Sequence, residues 1–184
     1  AGIIDTAECY PASHALQMVQ EGDAVGRRLA LDERSLVSLR LACMLHDCGM
    51  LNMSREMIKQ QRSLTADEWF LVKMHPLIGE LALRRSVPPT EDVPSLIRWH
   101  HEKWDGTGYP DRLMGEEIPI AARILSVVDA ASAMRAERPY RPSMNDQQIR
   151  TELEKQAGLQ FDPEVVRARN SVAIEAVPGA EKRA

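Results

Sequence analysis

At 184 residues the chain has the length of one domain, enough to bury an apolar core without disulfide or zinc staples. Its net charge of -4 and pI near 5.8 argue against binding a nucleic-acid polymer through its phosphates, although one basic pocket for a small anion fits inside an acidic average. No stretch is long and apolar enough to span a membrane and no signal-peptide pattern opens the chain. The three cysteines, Cys9, Cys43 and Cys48, match no zinc spacing, so they read as reduced thiols of a cytoplasmic protein. The chain starts on Ala1, which fits either a domain cut from a longer protein or a removed initiator methionine.

The elements read as helical nearly throughout, and β-branched alternation is almost absent. Asp32 is placed to cap a helix carrying Leu36, Val37, Leu41, Met44 and Leu45 that ends near Gly49. Thr65 and Glu68 form a capping box, with Leu64 and Trp69 spaced as a hydrophobic staple. Pro76 interrupts or restarts the following helix just after His75. Thr90 is a cap for a helix through Val93, Leu96 and Ile97 that carries His100 and His101 near its end, and Gly106, Gly108 and Pro110 then force turns. Pro119 precedes an apolar helix from Ala121 to about Met134 with Asp129 inside it, Asn145 starts a helix that stops at Gly158, and Asp162-Pro163 starts the last one. From Val177 the chain reads as a polar tail. The expectation is one all-α domain, a helical bundle of about seven helices over residues 1–176, with a tail over 177–184.

The run from His100 through Pro110 is the most specific signal: two adjacent imidazoles, the Glu102 carboxylate and a glycine-rich turn ending in Tyr109-Pro110. The chain has five histidines in all. His46-Asp47 closes an apolar helix, where a buried hydrogen-bonded pair is as good a reading as a ligand pair. His75 before a proline is more often a helix-end residue than a ligand, and His14 says nothing alone. Asp129 inside an apolar helix is costly unless it is paired or metal-bound.

Taken together and in order, these motifs resemble the HD-GYP domains, the branch of the HD superfamily that cleaves cyclic di-GMP. The resemblance runs from Tyr10 to about Phe161. His14 falls on the family's first metal histidine, His46-Asp47 on the HD pair, His75 through Gly79 on its HPxxG, and the His100–Pro110 run on its HHExxDGxGYP. Ile118 through Ile124 resembles IPxxARI, Asp129 falls on the last metal aspartate, Arg138–Arg141 matches RPYR, and Gly158 through Pro163 matches GxxFDP. The resemblance implies an HD-domain-like fold and a metal-dependent phosphodiesterase that hydrolyses cyclic di-GMP to pGpG, to GMP or to both through a metal-bridging hydroxide. It implies two divalent ions, iron or manganese: His14, His46, Asp47 and Asp129 on one, and Asp47, His75, His100 and His101 on the other. His46 and Asp47 are then the catalytic pair. Mixed imidazole and carboxylate donors suit such ions, and two ions at a shared carboxylate suit attack on a phosphodiester without a protein nucleophile.

Arg138 and Arg141 offer bidentate forks for phosphate, against a plain reading as a solvated loop pair. Tyr109 and Gly108 are expected at the substrate, Tyr109 shaping the pocket, against a plain reading of Tyr109 as turn packing. Glu102 and Asp105 are expected to orient the histidines or pin the turn, and Arg123 to pair with one of these acids. Met44, Met53, Met57 and Met74 read as core filler and Cys43 and Cys48 as buried small hydrophobes.

Three positions depart from the family. Met50 stands where HDxGK has lysine, and Ser132 where the family has a second aspartate. Losing opposite charges together is electrostatically consistent, so the two positions are expected to pair in the family. Tyr10 stands where some members bind a third ion through glutamate, which implies two ions here. The intact ligand set favours an enzyme. Met50 and Ser132 favour a weakly active or inactive domain that binds cyclic di-GMP and signals through a protein partner. A hydrolase for another phosphoester, including other cyclic dinucleotides, is the third reading. By resemblance, a diguanylate cyclase or an upstream sensor or receiver domain is the expected partner; an oligomer is compatible, and a nucleic-acid polymer or membrane is not expected.

Overall fold

A computed structural model describes residues 14–54, 57, 62–86, 92–136 and 142–172. Among these residues there are eight α-helices: α1 (His14–Arg28), α2 (Glu33–Leu45), α3 (Ala66–Lys73), α4 (His75–Ser86), α5 (Val93–Trp99), α6 (Ile120–Arg135), α7 (Asp146–Gln156) and α8 (Pro163–Ser171). Two short 3-10 turns, Cys48–Asn52 and Gly115–Glu117, join them. No strand occurs among the described residues; one isolated bridge links Ala157 to Phe161. Helices α3 and α4 abut at Met74, so the all-α bundle of about seven helices is the fold observed.

The helix starts follow local chemistry. Asp32 Oδ1 accepts from Ser35 N at 2.7 Å, and Thr65 and Glu68 close a reciprocal capping box. Asn145 and Gln148 form a second box, and Asp162 accepts from Glu164 N with Pro163 at the first helical position. Pro76 occupies the second position of α4, where its missing N–H costs no helical bond. Asp92 is the residue before α5; Thr90, the expected cap, lies outside the described residues. The end of α2 comes earlier than expected, at Leu45, and the chain tightens into the 3-10 turn over Gly49. A Cβ at Gly49 would lie 2.0 Å from the His75 carbonyl oxygen, so only glycine lets this turn sit against the start of α4.

Helix α6 is the axis. Ala122, Ile124, Leu125, Val127, Val128 and Ala131 are all fully buried, covering most of its circumference. Helices α1, α2, α5, α7 and α8 pack around it, contributing Met18, Leu39, Ile97, Leu153 and Val166 to one core. The four methionines read as filler do not serve that role: Met44 is exposed and Met53, Met57 and Met74 are only partly covered, because Leu36, Leu39 and Cys43 take the inward face of α2. Met18 and Met134 are the methionines of the core. Cys43 is fully buried and Cys48 partly so, and both are free thiols.

An ion network ties the first and last helices together. Glu21 and Arg169, both buried, meet at 2.6 Å. Arg135 approaches the other Glu21 oxygen at 3.2 Å, and Asp146 accepts from Arg169 at 3.0 Å. Each buried charge is thereby compensated, as burial requires.

Candidate metal centre

The fold brings all seven candidate ligands to one place from five segments. His14 opens α1, His46 caps α2 and Asp47 follows it, His75 opens α4, His100 caps α5 with His101 next, and Asp129 lies within α6. Ligand atoms of Asp47, His75, His100 and His101 all lie within 4.8 Å of one another, and those of His14, His46 and Asp129 form a second such group. Asp47 joins the two groups. Its Oδ1 is 3.1 Å from His75 Nε2 and 3.9 Å from His100 Nε2, and its Oδ2 is 2.9 Å from His46 Nε2. Asp129 Oδ1 lies 3.7 Å from His46 Nε2.

Three of the rings are held in one way. Nδ1 of His46, His75 and His100 each hydrogen-bonds the carbonyl oxygen three residues back, on Cys43 (3.2 Å), Val72 (2.7 Å) and Ile97 (2.6 Å). The Nδ1–H donates, so Nε2 is the lone-pair nitrogen and the tautomer is set for ligation. His75 Nε2 and His100 Nε2 then face each other at 3.2 Å as two acceptors with no proton between them. That contact is repulsive for two neutral imidazoles and favourable around a cation. The donor set, nitrogen and carboxylate oxygen without a thiolate, therefore fits divalent transition metals.

Electrostatics point the same way. Burial, reinforced by neighbouring imidazoles, pushes His101 down to about 3 and His100 well below the ordinary histidine range, so both stay neutral, the form that binds metal. Burial alone would raise Asp47, but His46 and His75 beside it hold its carboxyl well below the ordinary range. The site thus presents an anionic Asp47 carboxylate near the neutral imidazoles of His100 and His101.

Tyr109 forms one wall. Its ring centroid is 5.0 Å from that of His101, and Lys73 Nζ lies 5.6 Å from the same ring. Burial, with Asp47 and Asp129 nearby, raises the Tyr109 phenol, so it stays protonated and able to donate. Lys73 is the charged residue that sequence reading passed over; its signal was its place two residues before His75. A Cβ on Gly108 would meet Lys103 N at 2.3 Å and Glu102 Cα at 2.6 Å, so this glycine closes the turn by packing. Arg138, Arg141 and Tyr10 lie outside the described residues.

The turn itself is braced by the motifs around it. Glu102 Oε1 accepts from the backbone of Asp111 and Arg112, and Asp105 Oδ1 accepts from Thr107 N and Oγ1. Both acids pin the turn, as expected. Arg123 does not pair with either: it donates to Ile118 O and to Asp162 Oδ2 at 2.7 Å and lies over Trp104, because α6 packs beside the 157–162 segment. Trp104 N and Asp105 N donate to Gln160 O and Leu159 O, completing the same brace. Arg98 grips Asp111 with two bonds of 2.6 and 2.7 Å, just past the Tyr109-Pro110 step. Ser132 Oγ lies 2.7 Å from His14 Nδ1, a task that the expected pairing of positions 50 and 132 does not include.

This helical fold gathers its histidines and aspartates on two adjoining groups that could hold metal ions. Residues 10–165 match the family described as HD domain, and the chain belongs to that family. The GYP turn and its neighbours are the motifs on which the chain resembles the HD-GYP branch of that family. It is 33% identical over 162 residues to a 3'3'-cGAMP-specific phosphodiesterase of Vibrio cholerae, a match covering 88% of this chain and 35% of that protein. It is 36% identical over 158 residues to a cyclic di-GMP phosphodiesterase response regulator of Xanthomonas campestris, covering 84% of this chain and 42% of that protein. The crystal structure of a V. cholerae cyclic GMP-AMP-specific phosphodiesterase shares the fold with a TM-score of 0.70 at 21% identity, over 92% of this chain and 45% of that one. The chain thus spans less than half the length of these relatives. No helix among the described residues is long and apolar enough to cross a membrane.

Proposed function

We propose that the chain is the catalytic domain of a metal-dependent phosphodiesterase that hydrolyses cyclic di-GMP, releasing pGpG, GMP or both. The observation that carries this reading is the Asp47 carboxylate, which joins two groups of ligands in a fold whose named relatives are cyclic dinucleotide phosphodiesterases. His14, His46, Asp47 and Asp129 would hold one divalent ion, and Asp47, His75, His100 and His101 the other. The oxygen–nitrogen donor set supports iron or manganese. Such ions supply an activated water and polarise the phosphodiester when bound.

The chain's own residues do the rest. His46, His75 and His100 are locked by their Nδ1 bonds, so the ligand cage is preorganised. Tyr109 is a flat surface beside His101, suited to stacking or to donating its phenol proton to phosphate. Lys73 places positive charge against the outer part of that ring, suited to one of the two phosphates of the substrate. Arg138 and Arg141 are proposed as further phosphate forks. A cytoplasmic location, supported by the free thiols of Cys43 and Cys48, and a partner such as a diguanylate cyclase or a sensor domain belong to the same proposal.

A second substrate has a specific observation in its favour: the relative with 33% identity over 162 residues is named for 3'3'-cGAMP. One assay tests both. The purified chain is loaded anaerobically with ferrous iron or manganese, and each dinucleotide is followed separately by chromatography. Turnover of cyclic di-GMP that vanishes in Asp47→Ala supports the proposal. Cleavage of 3'3'-cGAMP alone would favour the second substrate, and tight binding without product would leave a dinucleotide-binding module.

A further inference from the structure

Four of the metal-site histidines have an identified Nδ1 contact, and one of these contacts differs in kind. His46, His75 and His100 lean on backbone carbonyls of their own segments, so their Nδ1 contact does not depend on a partner side chain. His14 leans instead on a side chain from the far end of the fold: Ser132 Oγ, 2.7 Å away and separated by 118 positions in sequence. Both residues are buried, and Ser132 lies one turn along α6 from Asp129, which belongs to the same ligand group. One helix therefore supplies a ligand and the support of another ligand. A serine inside a helix ordinarily bonds the carbonyl four residues back or points to solvent; this hydroxyl reaches across to α1.

We infer that Ser132 is a positioning residue for the ion of the His14, His46 and Asp129 group, setting the tautomer and ring angle of His14. With Nδ1–H donating to Ser132 Oγ, Nε2 carries the lone pair, and this atom is fully buried. A hydroxyl is a neutral acceptor. It raises the basicity of its imidazole less than the backbone carbonyls behind His75 and His100 do, because an amide oxygen is the stronger hydrogen-bond acceptor. The chain's two ion sites are therefore unequal: the His14 group holds its ion more weakly than the group of Asp47, His75, His100 and His101, and only the former depends on position 132. This inference rests on the metal-site assignment above.

The test measures metal rather than turnover. The full chain is equilibrated with increasing Mn2+, and bound manganese per chain is measured by mass spectrometry of the dialysed protein, with circular dichroism and melting as controls of folding. His14→Ala should remove one equivalent. Ser132→Ala should retain the tight equivalent and weaken the other by about 10- to 100-fold. Ser132→Asp should strengthen the weak site beyond that of the unaltered chain, which a merely structural role of Ser132 does not anticipate. If His14→Ala loses an equivalent while Ser132→Ala binds both as the unaltered chain does, the positioning role is wrong and the metal assignment stands. If His14→Ala keeps both equivalents, the assignment of His14 fails and the inference falls with it.

Discussion

Asp47 Oδ1 lies 3.1 Å from His75 Nε2, while the second oxygen of the same carboxylate lies 2.9 Å from His46 Nε2. A carboxylate of one ligand group thus also touches the other, and its negative charge lies between them. Asp47→Asn keeps the shape and removes the charge. It is expected to abolish phosphodiesterase turnover and to lower bound metal below the content of the unaltered chain. Retention of full metal and turnover would show that the two groups do not depend on this bridge.

Lys73 is exposed, and its ammonium lies 5.6 Å from the centre of the Tyr109 ring. A cation so placed acts on an anionic substrate more than on the bond being broken. Lys73→Ala is expected to raise KM about 3- to 10-fold with kcat nearly unchanged, consistent with a partly screened charge worth about 1 kcal/mol. The ratio between variant and parent should shrink at high salt. A fall in kcat with KM unchanged would move Lys73 from substrate binding into the chemistry.

Removing one member of the Glu21–Arg169 pair strands a buried charge. Glu21→Ala leaves Arg169, which is fully buried, with Asp146 at 3.0 Å as its carboxylate partner. The expected loss is about 3 kcal/mol, at the lower end for breaking a buried pair, read from urea denaturation. Replacing both residues with apolar side chains of similar size should lose less than Glu21→Ala alone. A double variant that is the less stable of the two would contradict this account.

The metal-free protein should weaken in mild acid. His101 is held at about 3 and His100 well below the ordinary range, whereas the unfolded chain protonates histidine near about 6.5. Below that pH the unfolded chain binds more protons, so stability present at pH 8 is lost as pH falls. Each such histidine contributes a slope approaching about 1.4 kcal/mol per pH unit. Asp47, whose carboxyl is depressed, contributes stability that is lost only at more acidic pH, below the ordinary carboxylate range. The melting temperature should therefore drop between pH 7 and 5, and His101→Ala should flatten that drop. A melting temperature constant over this interval would be evidence that the histidines protonate freely in the fold.

Most helix starts were legible because their signals are local. Asp32, Thr65 with Glu68, Asn145 with Gln148, and Asp162 before Pro163 each act within one turn of their own helix, where spacing alone sets the geometry. The end of α2 was misplaced because it depends on a distant neighbour: Gly49 turns where it does to let the His75 carbonyl pass. The four methionines were misread because hydrophobic type does not say which face of a helix another element will cover.

The sequence by itself determined the ligand types, their order and the helical class, since the imidazoles, carboxylates and caps are properties of single residues and short spacings. Only the tertiary structure decided that Asp47 touches both groups through different oxygens, that Arg123 braces Asp162, that Lys73 faces Tyr109, and that Ser132 holds His14 across 118 positions. Those contacts depend on how α1, α4 and α6 and the turns between them are packed. Packing is settled by the whole core at once, so a pair of residues far apart in the chain carries no local sign that the two will meet.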